Sequence, residues 1–286
     1  MDNKNCKIAI VTDSACDLSD EMLARYHIFM VPLRIVYGTR EYRDRMEITP
    51  EKVYALLDSE VPKSSLPLPQ DVTDILDKIV AEGYTDIIYL SISAGLSGSF
   101  NLIRLLAMEY TGLRIEVIDS KTLSMGLGFL AVEAAREAAR SGSVAEALKR
   151  IGAIRSSMTA MFVIKTLEYL RRGGRIGRVE GTVGTLLGIR PVIGVSDEGV
   201  YHTVAKARSE KKSIDAMIER LKARYSARPV NLAIVHGQAE DEAEGLLSTL
   251  KKVLTIREST ISQVSPVLGA HTGPGLLGVV AYEADE

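Results

Sequence analysis

Only two cysteines occur among the 286 residues, Cys6 and Cys16, and they stand ten positions apart. Two thiols in a chain of this size build no disulfide framework, and their spacing is not that of a metal-binding pair. Both are expected to be inert, with no metal and no cofactor. No apolar run reaches the roughly 18 residues that a membrane span demands, and the opening MDNKNCKIAIVTDS has no long apolar segment behind its lysines. The expectation is a cytoplasmic protein with no integral membrane segment. Charge of one sign is missing too: 35 Lys and Arg against 37 Asp and Glu leave a formal net charge of -2. A near-neutral chain without a basic tail lacks the footprint of non-specific nucleic-acid binding, so no nucleic-acid partner is expected. There is no fixed repeat period and no low-complexity tract.

What is present is globular in character, 46% hydrophobic and 25% charged, and long enough for two ordinary domains. The first half alternates apolar strand runs (KIAIVTDS, FMVPLRIVYG, TDIIYLSIS, RIEVIDS) with segments of helical spacing (SDEMLARYH, TPEKVYALLDSE, DVTDILDKIVAEGY, SFNLIRLLAMEYTG, GLGFLAVEAAREAARSG). That succession predicts an α/β fold whose first domain has a mostly parallel sheet covered by helices on both faces. After about Ser157 the alternation loosens, and GVSDEGVY reads as a hairpin turning at Asp197-Glu198-Gly199. The expected division is an N-terminal α/β domain, 1–155, and a C-terminal α/β domain with a mixed sheet, 156–286, with a ligand site between them.

In open parallel sheets, ligands bind beyond the carboxyl ends of the strands. Four polar turns fall at such ends or just after an extended segment: TDSACDLS, KSSLPLPQD, SISAGLSGS and DSKTLSMGLG. Within the third, four serines and two glycines connect a strand to a helix, a surplus of hydroxyls over the one needed to cap it. It lacks the lysine ending of a phosphate loop, and Gly95-Leu96-Ser97-Gly98 misses the nucleophile-elbow spacing by one residue. In the first turn, Asp17 or Ser19 caps the next helix and Asp13 ties down the turn, or Thr12, Asp13 and Ser14 line a ligand. His271 and Thr272 lie among Gly269, Gly273, Pro274 and Gly275, read as a rigid loop before a strand that could hold an imidazole against an anion. The basic segments YLRRGGRIG and AKARSEKK are either a solvated face or a local surface for an anionic ligand or acidic partner.

Taken together and in order, VTDSACDLS, VPLRI, SSLP, SISAGLSGSFN, VIDSKTLSMGLG, YLRRGGRIG and GAHTGPGLLGVV resemble the DegV family over nearly the whole chain. The resemblance implies a bacterial two-domain carrier that binds one long-chain fatty acid between its domains. It implies a partner, too: a fatty acid kinase subunit that phosphorylates the carboxylate, while the carrier does no chemistry. By motif, the carboxylate-holding residues map onto Ser64 or Ser65, onto Ser93 with the Gly95 to Ser97 turn, and onto His271 with Thr272. Arg175 and Arg208 map onto the kinase-docking residues. One departure is Ser64-Ser65-Leu66-Pro67 where the family carries Thr-Ser-Gln-Pro. A fatty acid needs an apolar tunnel as well, and Leu123, Met125, Phe129, Phe162, Ile164, Leu186 and Ile193 are candidates for its wall. Two other functions stay open: a serine esterase using Ser93 or Ser97 with His271 and Asp13, and a nucleotide or phosphometabolite sensor holding phosphate at the helix after Gly98.

Overall fold

The computed structural model describes residues 7–111, 113–183 and 188–285. Its strands are β1 Ile8–Asp13, β2 Ile28–Val31, β3 Arg34–Tyr37, β4 Arg40–Arg43, β5 Lys63–Ser65, β6 Asp86–Ser91, β7 Arg114–Asp119, β8 Thr159–Val163, β9 Arg190–Val195, β10 Tyr201–Ala207, β11 Val230–His236, β12 Ile256–Gln263 and β13 Leu277–Glu283. Its helices are α1 Asp20–Arg25, α2 Pro50–Leu56, α3 Pro69–Ala81, α4 Ser99–Glu109, α5 Met125–Ser141, α6 Val144–Ser157, α7 Glu168–Arg172, α8 Arg178–Val183, α9 Glu210–Tyr225, α10 Glu240–Leu250 and α11 Pro266–Thr272.

The first domain is built on a parallel sheet in the order β2-β1-β6-β7. Successive strand residues point to opposite faces, and here both faces are buried. Ala9, Val11, Ile87 and Tyr89 pack against Val72, Leu76 and Ile79 of α3 and Ile103 of α4. Ile10, Ile88 and Leu90 belong with Met125, Leu127, Leu130 and Ala134 of α5. Continuous apolar strands follow from that double cover, and each buried aliphatic side chain contributes about 1.5–3 kcal/mol.

One expected strand is divided. FMVPLRIVYG forms β2 and β3 with Pro32 and Leu33 between them, and β3 leaves the parallel sheet for a small antiparallel one in the order β4-β3-β5. Proline has no N–H for a ladder, so the run breaks there. The departure matters, because β5 pairs Ser64 with Ile35 and Ser65 with Arg34 and so fixes the serine pair on this small sheet.

The second domain is a mixed sheet in the order β10-β9-β8-β13-β11-β12, antiparallel except for β11 with β12. The expected hairpin is there as β9 and β10. Helices α9 and α10 cover one face through Met217, Leu221, Tyr225, Leu246 and Leu250. The other face meets α5: Phe129 sits edge-on against Tyr282, with ring centroids 5.0 Å apart. A single apolar cluster therefore runs from Ile10 and Ile88 through α5 to Phe162, Val235 and Val280. The expected boundary at residue 155 falls in the last turn of α6, between the two sheets. Among the described residues no helix is long and apolar enough to cross a membrane.

Candidate functional site

A cavity of about 230 Å³ lies where the inner face of the second sheet meets the loops of the first domain. Strands of the second domain supply Phe162, Val195, Tyr201, Val235 and Val280 to its wall, and α11 supplies Val267 and Leu268. The first domain adds Leu33, Ile92, Leu96 and Leu123. The polar lining is small: Ser64, Ser65, Ser97, Ser124, Arg175, His271 and Thr272. A mostly apolar wall with a few convergent polar groups is the composition of a small-molecule site.

At the centre of the polar group, Ser64 Oγ and His271 Nε2 are 2.7 Å apart, although 207 positions separate them in the chain. His271 is 8% exposed, and burial, followed by the nearby Arg175 guanidinium, pushes it down to about 4. The ring is therefore neutral at pH 7. Its Nδ1 is buried and has no hydrogen-bond partner among the described residues. It faces Gly173, where an added Cβ would come within 2.0 Å of it, so only glycine leaves room for the imidazole. Arg175 bends back over this corner, donating to the Gly173 carbonyl at 2.7 Å and the Leu96 carbonyl at 3.4 Å.

The other expected residues divide. Ser65 and Ser97 line the cavity, and Ser97, one residue before the Gly98 cap position of α4, also accepts through Oγ from the Ser99 N–H at 3.2 Å. Thr272 lines it too, its hydroxyl donating to the Leu268 carbonyl at 3.0 Å. Ser93 and Gly95 are not in the wall. Ser93 is fully buried and donates to the Gly199 carbonyl at 2.8 Å, and a Cβ on Gly95 would lie 2.7 Å from that same oxygen. Both residues seat the first-domain loop on the turn between β9 and β10. Arg175, expected as a docking residue, stands in the cavity wall, whereas Arg208 is exposed beyond the end of β10. Of the expected tunnel residues, Leu123 and Phe162 line the cavity, Met125, Phe129, Ile164 and Ile193 are buried elsewhere in the core, and Leu186 lies outside the described residues, as does Cys6.

His271 stands in the last turn of a short helix, α11, where a loop was expected. Ser265 followed by Pro266 is a helix-start signal, and Gly273 with φ 70° is a helix-stop signal; reading both would have found it. The esterase constellation does not assemble. His271 pairs with Ser64, while Asp13 accepts from the N–H groups of Ala15 and Ile92 at 3.1 and 2.7 Å and ties down its own turn. Ser19, whose hydroxyl accepts from the Met22 N–H, is the cap of α1, and Asp17 is engaged elsewhere.

Comparison with known proteins bears on the family and the fold. The description that matches residues 7–284 is that of uncharacterised proteins of the DegV family. A DegV domain-containing protein of Clostridium perfringens is 40% identical over 273 residues, spanning 96% of this chain and 97% of the relative. The structure of a fatty-acid-binding DegV family protein from Thermus thermophilus superposes with a TM-score of 0.90 at 30% identity, covering 97% of this chain and all of that one. A stearic-acid-binding protein from Eubacterium ventriosum superposes with a TM-score of 0.87 at 27% identity, over 96% of this chain and 98% of its own. By its sequence over nearly its whole length and by its fold, the chain belongs to the DegV family.

Proposed function

We propose that this protein binds a long-chain fatty acid, with the tail in the apolar cavity and the carboxylate at the Ser64–His271 corner, and presents that carboxylate to a partner kinase. The observation that carries the reading is the 2.7 Å contact between Ser64 and His271 in a mostly apolar cavity. Nothing among the described residues accepts a hydrogen at Nδ1. The ring hydrogen therefore belongs on Nε2, pointing at Ser64 and at the space where a carboxylate would lie. Ser65 and Ser97 add hydroxyl donors, and Arg175 adds one positive charge at the rim.

Neutral donors suit a carboxylate that must later react, because they hold it without cancelling its charge. The partner would bring a nucleoside triphosphate. A carboxylate oxygen attacks the terminal phosphorus, the bond to the departing nucleoside diphosphate breaks, and an acyl phosphate forms. The carrier's residues hold and orient, and none of them forms a bond in this step. The tail supplies most of the affinity, at about 0.8 kcal/mol per buried methylene before the costs of ordering. In this reading the first domain, 1–155, contributes Ser64, Ser65 and Ser97, and the second, 156–286, contributes Arg175, His271 and Thr272. Kinase docking falls to the exposed Arg208 and to Arg175 at the rim, and the work takes place in the cytoplasm.

Native mass spectrometry of protein purified from cells tests the binding, with a co-purified mass of a fatty acid expected. Delipidated protein reloaded with palmitate, then mixed with the kinase and nucleotide, should yield a hydroxylamine-trappable acyl phosphate. A co-purified nucleotide, or ester hydrolysis by the protein alone, would overturn the proposal.

A further inference from the structure

Helix α11 carries His271 in its last turn, and its first turn has backbone N–H groups with no acceptor inside the helix. Ser265, at the cap position, supplies no side-chain cap of its own. The acceptors come from the other domain. Asp17 Oδ1 accepts from the Ser265 N–H at 2.7 Å, and Asp44 Oδ1 accepts from the Val267 N–H at 3.0 Å. Both carboxylates are buried, 3% and 0% exposed.

Their remaining oxygens are fixed as well. Asp17 Oδ2 accepts from Ser124 Oγ at 2.5 Å, and Asp44 Oδ2 accepts from Ser14 Oγ at 2.6 Å; Ser14 Oγ in turn accepts from the Leu33 N–H at 3.0 Å. Ser124 and Leu33 are residues of the cavity wall. Neither carboxylate forms a salt bridge among the described residues, and the neighbouring Arg45 spends its guanidinium on the exposed Asp20 at 2.8 Å. Burying two carboxylates without a bonded cation is costly, and a side-chain cap from Ser265 itself would have started the helix more cheaply. What the arrangement gains is registry: the first domain grips α11 at its start through Asp17 and Asp44 and meets its end through Ser64.

We propose that Asp17 and Asp44 are positioning residues for the head-group site, acting through α11 to hold His271 against Ser64 and the incoming carboxylate. The proposal rests on the fatty-acid reading for its ligand, and neither residue touches that ligand.

The test compares Asp44→Ala and Asp44→Asn with the wild type for palmitate affinity and for the His271 side-chain resonance in the ligand-free protein. Alanine removes the acceptor, so affinity should fall about tenfold or more, within the range of coupled sites, and the resonance should move. Asparagine keeps an oxygen for the Val267 N–H and should restore most of both. A folded Asp44→Ala protein with wild-type affinity and an unmoved resonance overturns the proposal. Should the alanine variant fail to fold, hydrogen exchange of the Val267 amide in the wild type decides. Coupling is reciprocal, so palmitate must slow that exchange, and an unchanged rate overturns the proposal. A wild type that binds no palmitate sinks the functional reading, whereas the His271 resonance tests the grip without any ligand.

Discussion

Gly173 has φ -77° and ψ -10°, helical values that alanine adopts without strain. Its missing side chain is nonetheless what lets the imidazole in, because a Cβ there would stand 2.0 Å from His271 Nδ1. Gly173→Ala is therefore expected to displace the ring while leaving the backbone alone. His271→Ala removes the ring outright. Each variant should lose one hydrogen bond to a charged group, about 1.5–3 kcal/mol, which is roughly ten- to a hundredfold in palmitate affinity. Calorimetric titration of both variants checks this. Wild-type affinity in Gly173→Ala beside a large loss in His271→Ala would mean that the ring has room to adjust, and that its position is not set by Gly173.

At the scale of elements, the loop after β6 and the turn between β9 and β10 are held face to face by Ser93 and Gly199. Gly199 sits at φ 77°, and a Cβ on it would fall 2.0 Å from Ser93 Oγ. Gly199→Ala should destabilise by about 1–3 kcal/mol from strained backbone, with the clash added. Ser93→Ala leaves the buried carbonyl unpaired, at about 1–3 kcal/mol. Combining the two should cost less than their sum, because removing the hydroxyl relieves the clash. Urea unfolding of the four proteins measures this, and strict additivity would deny that the two elements touch through these atoms. Ser93 also marks how far the sequence could be read. The buried strands and the hairpin were legible because continuous apolar runs between helical segments and an Asp-Glu-Gly turn are local signals. Ser64 against His271 was not, since nothing local relates β5 to α11, and only the resemblance placed both near a carboxylate. The hydroxyl surplus of SISAGLSGS was visible, but not its division: Ser97 faces the cavity and Ser93 faces the other domain. Arg175 read as surface because composition cannot tell which way a loop turns.

Across the whole molecule, buried carboxylates give stability an unusual pH dependence. Burial, outweighing their hydrogen bonds, pushes Asp13 and Asp44 up from 3.8 to about 7 and Asp17 up to about 6. A carboxyl raised on folding stabilises the fold in acid, and that contribution is lost as pH rises through its folded value. His271 acts oppositely: lowered to about 4, it contributes stability above its ordinary value that is lost as pH falls. Between pH 7 and 5 Asp13 and Asp44, joined below about pH 6 by Asp17, favour acid, while His271 and His236, which burial also lowers, oppose it, each by up to about 1.4 kcal/mol per pH unit. The urea midpoint should stay level above about pH 7 and rise as pH falls from there to about 5.5, and Asp44→Asn should flatten the rise; a falling midpoint would show that these carboxylates stay ionised in the fold. The two arginines proposed for kinase docking differ in their surroundings. Arg208 is exposed and forms no ion pair among the described residues, so Arg208→Glu should leave palmitate retention unchanged. Acyl phosphate formation with the kinase should fall, and the deficit should shrink with salt as screening weakens the attraction that the wild type enjoys. Arg175 lines the cavity beside His271, so Arg175→Glu should impair retention and turnover together. Paired retention and turnover assays at two salt concentrations distinguish them. If Arg208→Glu turns over normally, the exposed arginine belongs to a solvated face, and the kinase approaches from the Arg175 side alone.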